Sequence, residues 1–299
     1  AQSTPMKTVQ AQRSTSQTLK IPSLPSVVFR LNDLIRNPDA GVVEIGQEVA
    51  KDPNLSTRVL RIANGASFGL KSPVLDPVHA ASILGLQRLA PIILQAGTKS
   101  LFGKGKQKIK QDLARHWRHS ILVAQIARDL GRHCKNPDIM QPEELYTCGL
   151  LHDMGKAVFW DNKPNKYKRC NEIIAATGRD PLAVETEVMG ANHAQVGAKI
   201  VLAWGLSRDL AQTIVFHHEA WRVAKAIPTT VLIALADRLA DAVEAGDLEG
   251  MPFVASRRDC HFLGFSKSHL IEVTTSALAG WDEIEERRVG KECTSWCRS

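Results

Sequence analysis

The apolar positions of this chain recur every three to four residues, the spacing that lines one face of a helix. Val27, Val28, Leu31, Leu34 and Ile35 form one such stripe, and Val59, Leu60, Ile62 and Ala63 form another. Asp76-Pro77 reads as an N-cap followed by a first-turn proline, and predicts a helix through Ile83 to a break at Gly85. Residues 121–130 predict a helix with His119 near its start. His193 opens another, through Val196, Ile200 and Val201, that ends near Trp204-Gly205, where glycine permits a left-handed cap. Ser207 can cap the next, which runs through Leu210 and Ile214 to His217-His218, and residues 231–245 predict a long apolar helix with Asp237 inside it. Period-two alternation is scarce. The predicted fold class is all-α.

Two glycines among lysines at Gly103-Lys104-Gly105-Lys106 mark a boundary between a helical lobe over residues 20–103 and a histidine-rich lobe over 104–286. Residues 1–19, rich in Gln, Ser and Thr, read as a disordered tail. Residues 287–299 break the preceding pattern and read as a second, non-native tail. Leu89, Ile92, Ile93 and Leu94 offer more apolar surface than the first lobe can bury alone, so the second lobe is expected to pack on it.

Charge looks informative until it is located. The chain of 299 residues carries a net +7, but residues 1–20 and 287–299 hold +3 each, leaving +1 for residues 21–286. A nearly neutral body disfavours nucleic acid as a partner. The exception is residues 104–118, where six Lys and Arg face only Asp112; this is read as a solvated helix start before an anion-binding patch. No apolar run is long enough to cross a bilayer, so no membrane partner and a cytoplasmic location are expected. Cys134, Cys148, Cys170, Cys260, Cys293 and Cys297 lack Cys-x-x-Cys spacing and read as free thiols.

The candidate chemistry centres on His152-Asp153, which follows the apolar run 145–151 and precedes Gly155, read as a helix breaker. Imidazole supplies a directional ligand, and a short carboxylate can bridge two ions or orient a metal-bound water; Mn, Fe, Zn and Mg sites use such donors. His119, His193, His217, His218 and Asp237 lie where helices could bring them to that pair. A single helical histidine is more often a surface or satisfied core residue, so the argument rests on the set. Asp237, among Leu235, Ala236 and Leu239, needs a cation or hydrogen bonds if buried. Arg238 points about 100° away on a helix, which leaves a metal or His119 as its partner. His217 and His218 diverge equally and can share an ion only where the helix ends; otherwise they are imidazoles at a helix C-terminus. Lys156 is either a solvated lysine or a cation for a substrate phosphate.

These residues carry a family resemblance. Leu24-Pro25-Ser26, Asp52-Pro53-Asn54-Leu55, Ser67-Phe68-Gly69-Leu70, Ala81-Ser82-Ile83-Leu84-Gly85-Leu86, Trp117-Arg118-His119-Ser120, Gly149-Leu150-Leu151-His152-Asp153-Met154-Gly155-Lys156 and His193-Ala194-Gln195-Val196-Gly197 closely resemble HDOD domains, the HD-related output domains of bacterial signalling proteins. The resemblance implies an N-terminal helical lobe packed against an HD-like lobe, and a regulatory role exercised through contacts with a signalling protein. It also resembles catalytic HD and HD-GYP proteins at His119, His152, Asp153, Lys156, His193, His217, His218 and Asp237. Yet no Gly-Tyr-Pro comes after His217-His218-Glu219, and Arg115, four residues before His119, cannot ligate a metal. A cyclic-dinucleotide phosphodiesterase is therefore disfavoured. The alternative to the regulatory module is a metal-dependent phosphohydrolase acting on a phosphomonoester, nucleotide or cyclic nucleotide. In it His119, His152, Asp153 and Asp237 hold one ion and His193, His217 and His218 a second, with Lys156 and Asp153 as the catalytic residues.

Overall fold

A computed structural model describes residues 19–20, 22, 31, 34, 41–65, 68–70, 72–101, 107–222, 227–246, 256–266 and 268–276. The stripe residues Val27, Val28 and Ile35, the Leu24-Pro25-Ser26 motif, Ser67, the Gly103 boundary, Cys293 and Cys297, and most of both tails lie outside these residues. Among those described there is no strand. The fold is all-α, as the periodicity requires.

In the first lobe α1 (Val42–Ala50) and α2 (Pro53–Ala63) pack against α3 (Pro77–Leu101), which kinks at Gly85, where φ is 70°. Only glycine adopts that conformation cheaply, so the predicted break survives as a bend within one element. Leu89 and Ile93 of α3 are buried, and α3 packs against α5 of the second lobe.

The second lobe comprises α4 (Gln107–His133), α5 (Pro142–Leu151), α6 (Met154–Asn162), α7 (Pro164–Thr177), α8 (Pro181–Met189), α9 (His193–Ala203) and α10 (Arg208–Phe216). A 3₁₀ turn (His217–Glu219), α11 (Pro228–Glu244), α12 (Arg257–Leu263) and a helical stretch over 268–276 complete it. Local chemistry sets most starts. Proline occupies the first turn of α5, α7, α8 and α11. Asp180, Asn192, Ser207 and Ser256 cap α8, α9, α10 and α12 by accepting a backbone N–H. Each such cap contributes about 1 kcal/mol.

Two expectations are corrected. The helix of His119 begins at Gln107, so His119 sits mid-helix, not near a start. Gly155 does not break a helix either; it lies inside α6. There a Cβ would fall 2.0 Å from the His193 carbonyl oxygen, so its role is to let α6 touch the backbone of α9.

The far ends of these two helices are tied to the start of the described chain. Lys20 N–H donates to Asn162 Oδ1 at 2.8 Å, and the Trp204 indole donates to the Pro22 carbonyl at 2.9 Å. No single described helix is long and apolar enough to cross a membrane.

Candidate metal centre

His152 and Asp153 are the two residues between α5 and α6, so they stand at a helix corner. Gly149 of α5 lets that helix close on α4, since a Cβ there would lie 2.7 Å from the Ala124 backbone. Gly155 does the same for α6 and α9. These two close approaches bring the corner to His119 on one side and His193 on the other.

Every predicted site residue arrives at this corner. His119 Nε2 lies 2.9 Å from Asp237 Oδ1, and His152 Nε2 lies 3.4 Å from both Asp153 Oδ2 and Asp237 Oδ1. Asp153 turns its other oxygen, Oδ1, toward His193 Nε2 at 3.1 Å and His217 Nε2 at 3.7 Å, while Lys156 Nζ donates to Oδ2 at 2.6 Å. α10 ends at Phe216, and the 3₁₀ turn after it lets His217 and His218 address one centre, with ring centroids 4.0 Å apart.

The second ring nitrogens show how the imidazoles are aimed. Nδ1 of His152 donates to the Gly149 carbonyl and Nδ1 of His217 to the Ile214 carbonyl, both at 2.7 Å. Nδ1 of His193 pairs with Glu185 Oε2 at 2.6 Å, and Nδ1 of His119 faces Glu244 Oε2 at 3.4 Å. A donor so anchored leaves Nε2 with its lone pair presented, the arrangement of metal-ligating histidine. Three of the presented atoms, His152 Nε2, Asp153 Oδ1 and His217 Nε2, are buried without a hydrogen-bond partner. His193 Nε2 and His218 Nε2 stand 2.9 Å apart, where two lone pairs repel unless a proton or another cation is beside them. Ligand atoms of Asp153, His193, His217 and His218 lie within 4.8 Å of one another, as do those of His119, His152 and Asp153, and those of His152, His217 and Asp237. The donor set fits a divalent ion in each half, with Asp153 common to both.

The electrostatics require positive charge here. Asp153, Asp237 and Glu185 are buried carboxylates, and Lys156 answers only one of them. Against the upward push of burial, His152 and Lys156 hold the Asp153 carboxyl well below its usual range, and the hydrogen bond from His119 with the nearby His152 ring does the same for Asp237. Burial works against charge on His119 and His152 too, yet their carboxylate neighbours raise them to about 10 and about 9. His218 behaves oppositely: burial and its neighbours His217 and His193 bring it down to about 2. The carboxylates thus draw protons onto the His119–Asp237 half when no metal answers them, while His218 keeps its lone pair.

Two residues of the site, His116 and Glu185, are not among those expected from the sequence. His116 lies one turn before His119, buried with Nε2 unpartnered, and its i,i+3 spacing is a readable signal. Glu185 is buried and accepts from His193 N–H at 2.8 Å, from its ring, and from the Tyr167 hydroxyl at 3.3 Å. It sits on another helix, where nothing local announces it. Glu185→Gln is expected to weaken Mn²⁺ binding about 10- to 100-fold in calorimetric titration, as loss of a partner that orients a ligand does. Wild-type affinity would show that His193 needs no such partner. A cleft of about 370 Å³ opens onto the centre, lined by Arg115, His116, Lys156, Trp160 and Tyr167 besides His119 and Asp153.

A helical body with a buried His/Asp centre at a helix corner defines a domain of HD-like type. The HDOD domain profile matches residues 21–220, and the chain belongs to the HDOD family. An uncharacterized protein of Treponema pallidum is 28% identical over 198 residues, 66% of this chain and 37% of that protein. The chain spans about a third of the length of the curated relatives it matches. Among solved structures, a Shewanella amazonensis protein provisionally named a phosphohydrolase superposes with a TM-score of 0.70 at 24% identity, covering 85% of this chain and 90% of the other. A Marinobacter aquaeolei protein provisionally named a signal transduction protein gives 0.70 at 20% identity, covering 93% and 61%. Both likenesses bear on the fold. Asp237 lies beyond the matched residues, so the centre draws both on the HDOD segment and on the helices C-terminal to it.

Proposed function

We propose that this chain is a regulatory HDOD module that retains a divalent metal centre and passes its signal on through contact with a signalling protein. The observation that carries the metal half is the set of four imidazoles whose Nδ1 atoms are anchored while their Nε2 atoms converge around Asp153. The regulatory half rests on family membership and is supported by the name of the Marinobacter relative. Among the described residues Cys134, Cys148 and Cys170 form no disulfide, which suits a reducing cytoplasm. His119, His152, Asp153 and Asp237 would hold one Fe, Mn, Zn or Mg ion, and Asp153, His193, His217 and His218 a second.

The cleft favours a second reading, a metal-dependent phosphohydrolase, which the name of the Shewanella relative also supports. A bound divalent ion would acidify a water and polarise a phosphoryl oxygen. Lys156 holds its ammonium against Asp153 at the mouth of the cleft, where it can offset charge building on phosphate. His116, kept neutral by burial, which lowers it to about 3, would act only as a neutral donor or acceptor.

Activity assays separate the two. With Mn²⁺ or Fe²⁺ loaded, no turnover of cyclic di-GMP above the metal-only background is expected, since the Gly-Tyr-Pro stretch is missing. Hydrolysis of any phosphoester that vanishes in His152→Ala would replace the regulatory reading with the enzymatic one.

A further inference from the structure

The segment beyond the matched residues supplies more than Asp237. Asp259 of α12 is 1% exposed and accepts from three residues, Ser256 through both its backbone N–H and its hydroxyl. Its Oδ1 accepts from the Trp221 indole at 2.8 Å, and its Oδ2 from Arg238 Nη2 at 2.8 Å and from Ser256 Oγ at 2.7 Å. The Ser256 bonds form a capping box that fixes Asp259 at the start of α12, and Leu263 at its other end is fully buried. The carboxylate is therefore held by its own helix before it reaches the others.

Its two outside partners both border the metal centre. Trp221 stands three residues after His218, just past the 3₁₀ turn that presents His217 and His218. Its ring is gripped as well, with Arg258 Cζ 3.9 Å from the ring centroid and Phe262 edge-on at 5.2 Å. Arg238 is the residue after Asp237 on α11. One residue of helix turns a side chain by about 100°, so fixing Arg238 toward α12 sets the direction in which Asp237 faces His119. One buried carboxylate thus holds a side chain next to each half-site, Trp221 after His218 and Arg238 after Asp237, and does so from outside the matched HDOD segment.

We propose that Asp259 is a positioning residue for the metal centre, acting through Trp221 on His217 and His218 and through Arg238 on Asp237. The inference rests on the metal-centre reading above. A carboxylate that merely stabilised the fold would change melting temperature without changing how ions bind.

The test uses the full chain stripped with chelator and titrated with Co²⁺, followed by calorimetry and the visible d–d band. His218→Ala and Asp237→Ala identify which binding step belongs to which half. Trp221→Phe keeps a ring and removes only the indole donor; it is expected to weaken the step lost in His218→Ala about tenfold and to spare the other. Arg238→Met keeps the stem and should weaken the step lost in Asp237→Ala by a similar factor. Asp259→Ala should weaken both, and Trp221→Phe and Arg238→Met keep the question open to measurement if that variant folds poorly. Wild-type Co²⁺ affinities and spectra in Trp221→Phe and Arg238→Met, with only melting temperature lowered, would overturn the positioning role and leave the metal centre standing. A wild-type chain that takes up no Co²⁺ would remove both.

Discussion

Asp153→Ala is expected to abolish divalent-metal binding at both half-sites at once. Among the proposed ligands, Asp153 is the one whose two oxygens face different histidines, Oδ1 toward His193 and His217 and Oδ2 toward His152. In the two half-sites proposed above, losing a single imidazole removes one donor from one half, whereas losing this carboxylate removes the anion that both halves share. Affinity for Mn²⁺ should fall by more than about 100-fold, beyond what loss of an orienting partner produces. The metal-free protein should also lose stability, because Lys156 is left without its partner. That cost is held to about 3 kcal/mol or less, since Lys156 can turn into the cleft. Calorimetric titration read beside thermal melts separates the two effects. A variant that still binds one ion with wild-type affinity would show that Asp153 serves one half only.

The second large effect is expected at Gly155→Ala, a change of one methyl group. The added carbon would lie 2.0 Å from the His193 carbonyl oxygen, 2.7 Å from its carbonyl carbon and 2.8 Å from its Cα. All three are backbone atoms, so no rotamer change relieves the clash, and α6 must move away from α9. Overpacking of this kind costs about 3 kcal/mol. Since α6 carries Lys156 and follows directly on Asp153, while α9 begins at His193, the displacement should also lower metal affinity. Urea unfolding and Mn²⁺ titration check both parts. Wild-type stability in this variant would mean that α6 and α9 do not meet at that distance.

Much of this is legible in the sequence, for reasons that differ by residue. The helical stripe at Val59, Leu60, Ile62 and Ala63, the cap at Ser207 and the bend at Gly85 are local: residues within a turn of each other set them. The pairing of His119 with Asp237 is legible too, because a carboxylate on an apolar helix face must find a partner. Gly155 reads as a breaker because glycine at a helix start and glycine at a close helix crossing look the same without knowledge of α9. Glu185 and Asp259 are silent for a related reason. Each serves a residue on another element: nothing in its own helix marks Glu185, and the Ser256 capping box that marks Asp259 locally says nothing of Trp221 or Arg238. His116 is different: it stands one turn before His119, as Arg115 also does, but unlike arginine it can accept as well as donate, so the signal is there to be read.

The central claim is that the converging Nε2 atoms and the buried Asp153 oxygen are ligands to metal. It is tested most directly by elemental analysis of wild-type protein expressed with Mn and Fe supplied and purified without chelator, run beside Asp153→Ala. The account predicts about two divalent ions per chain in the wild type, as the shared-carboxylate arrangement provides, and background in the variant. Wild-type metal content no higher than that of Asp153→Ala would contradict it.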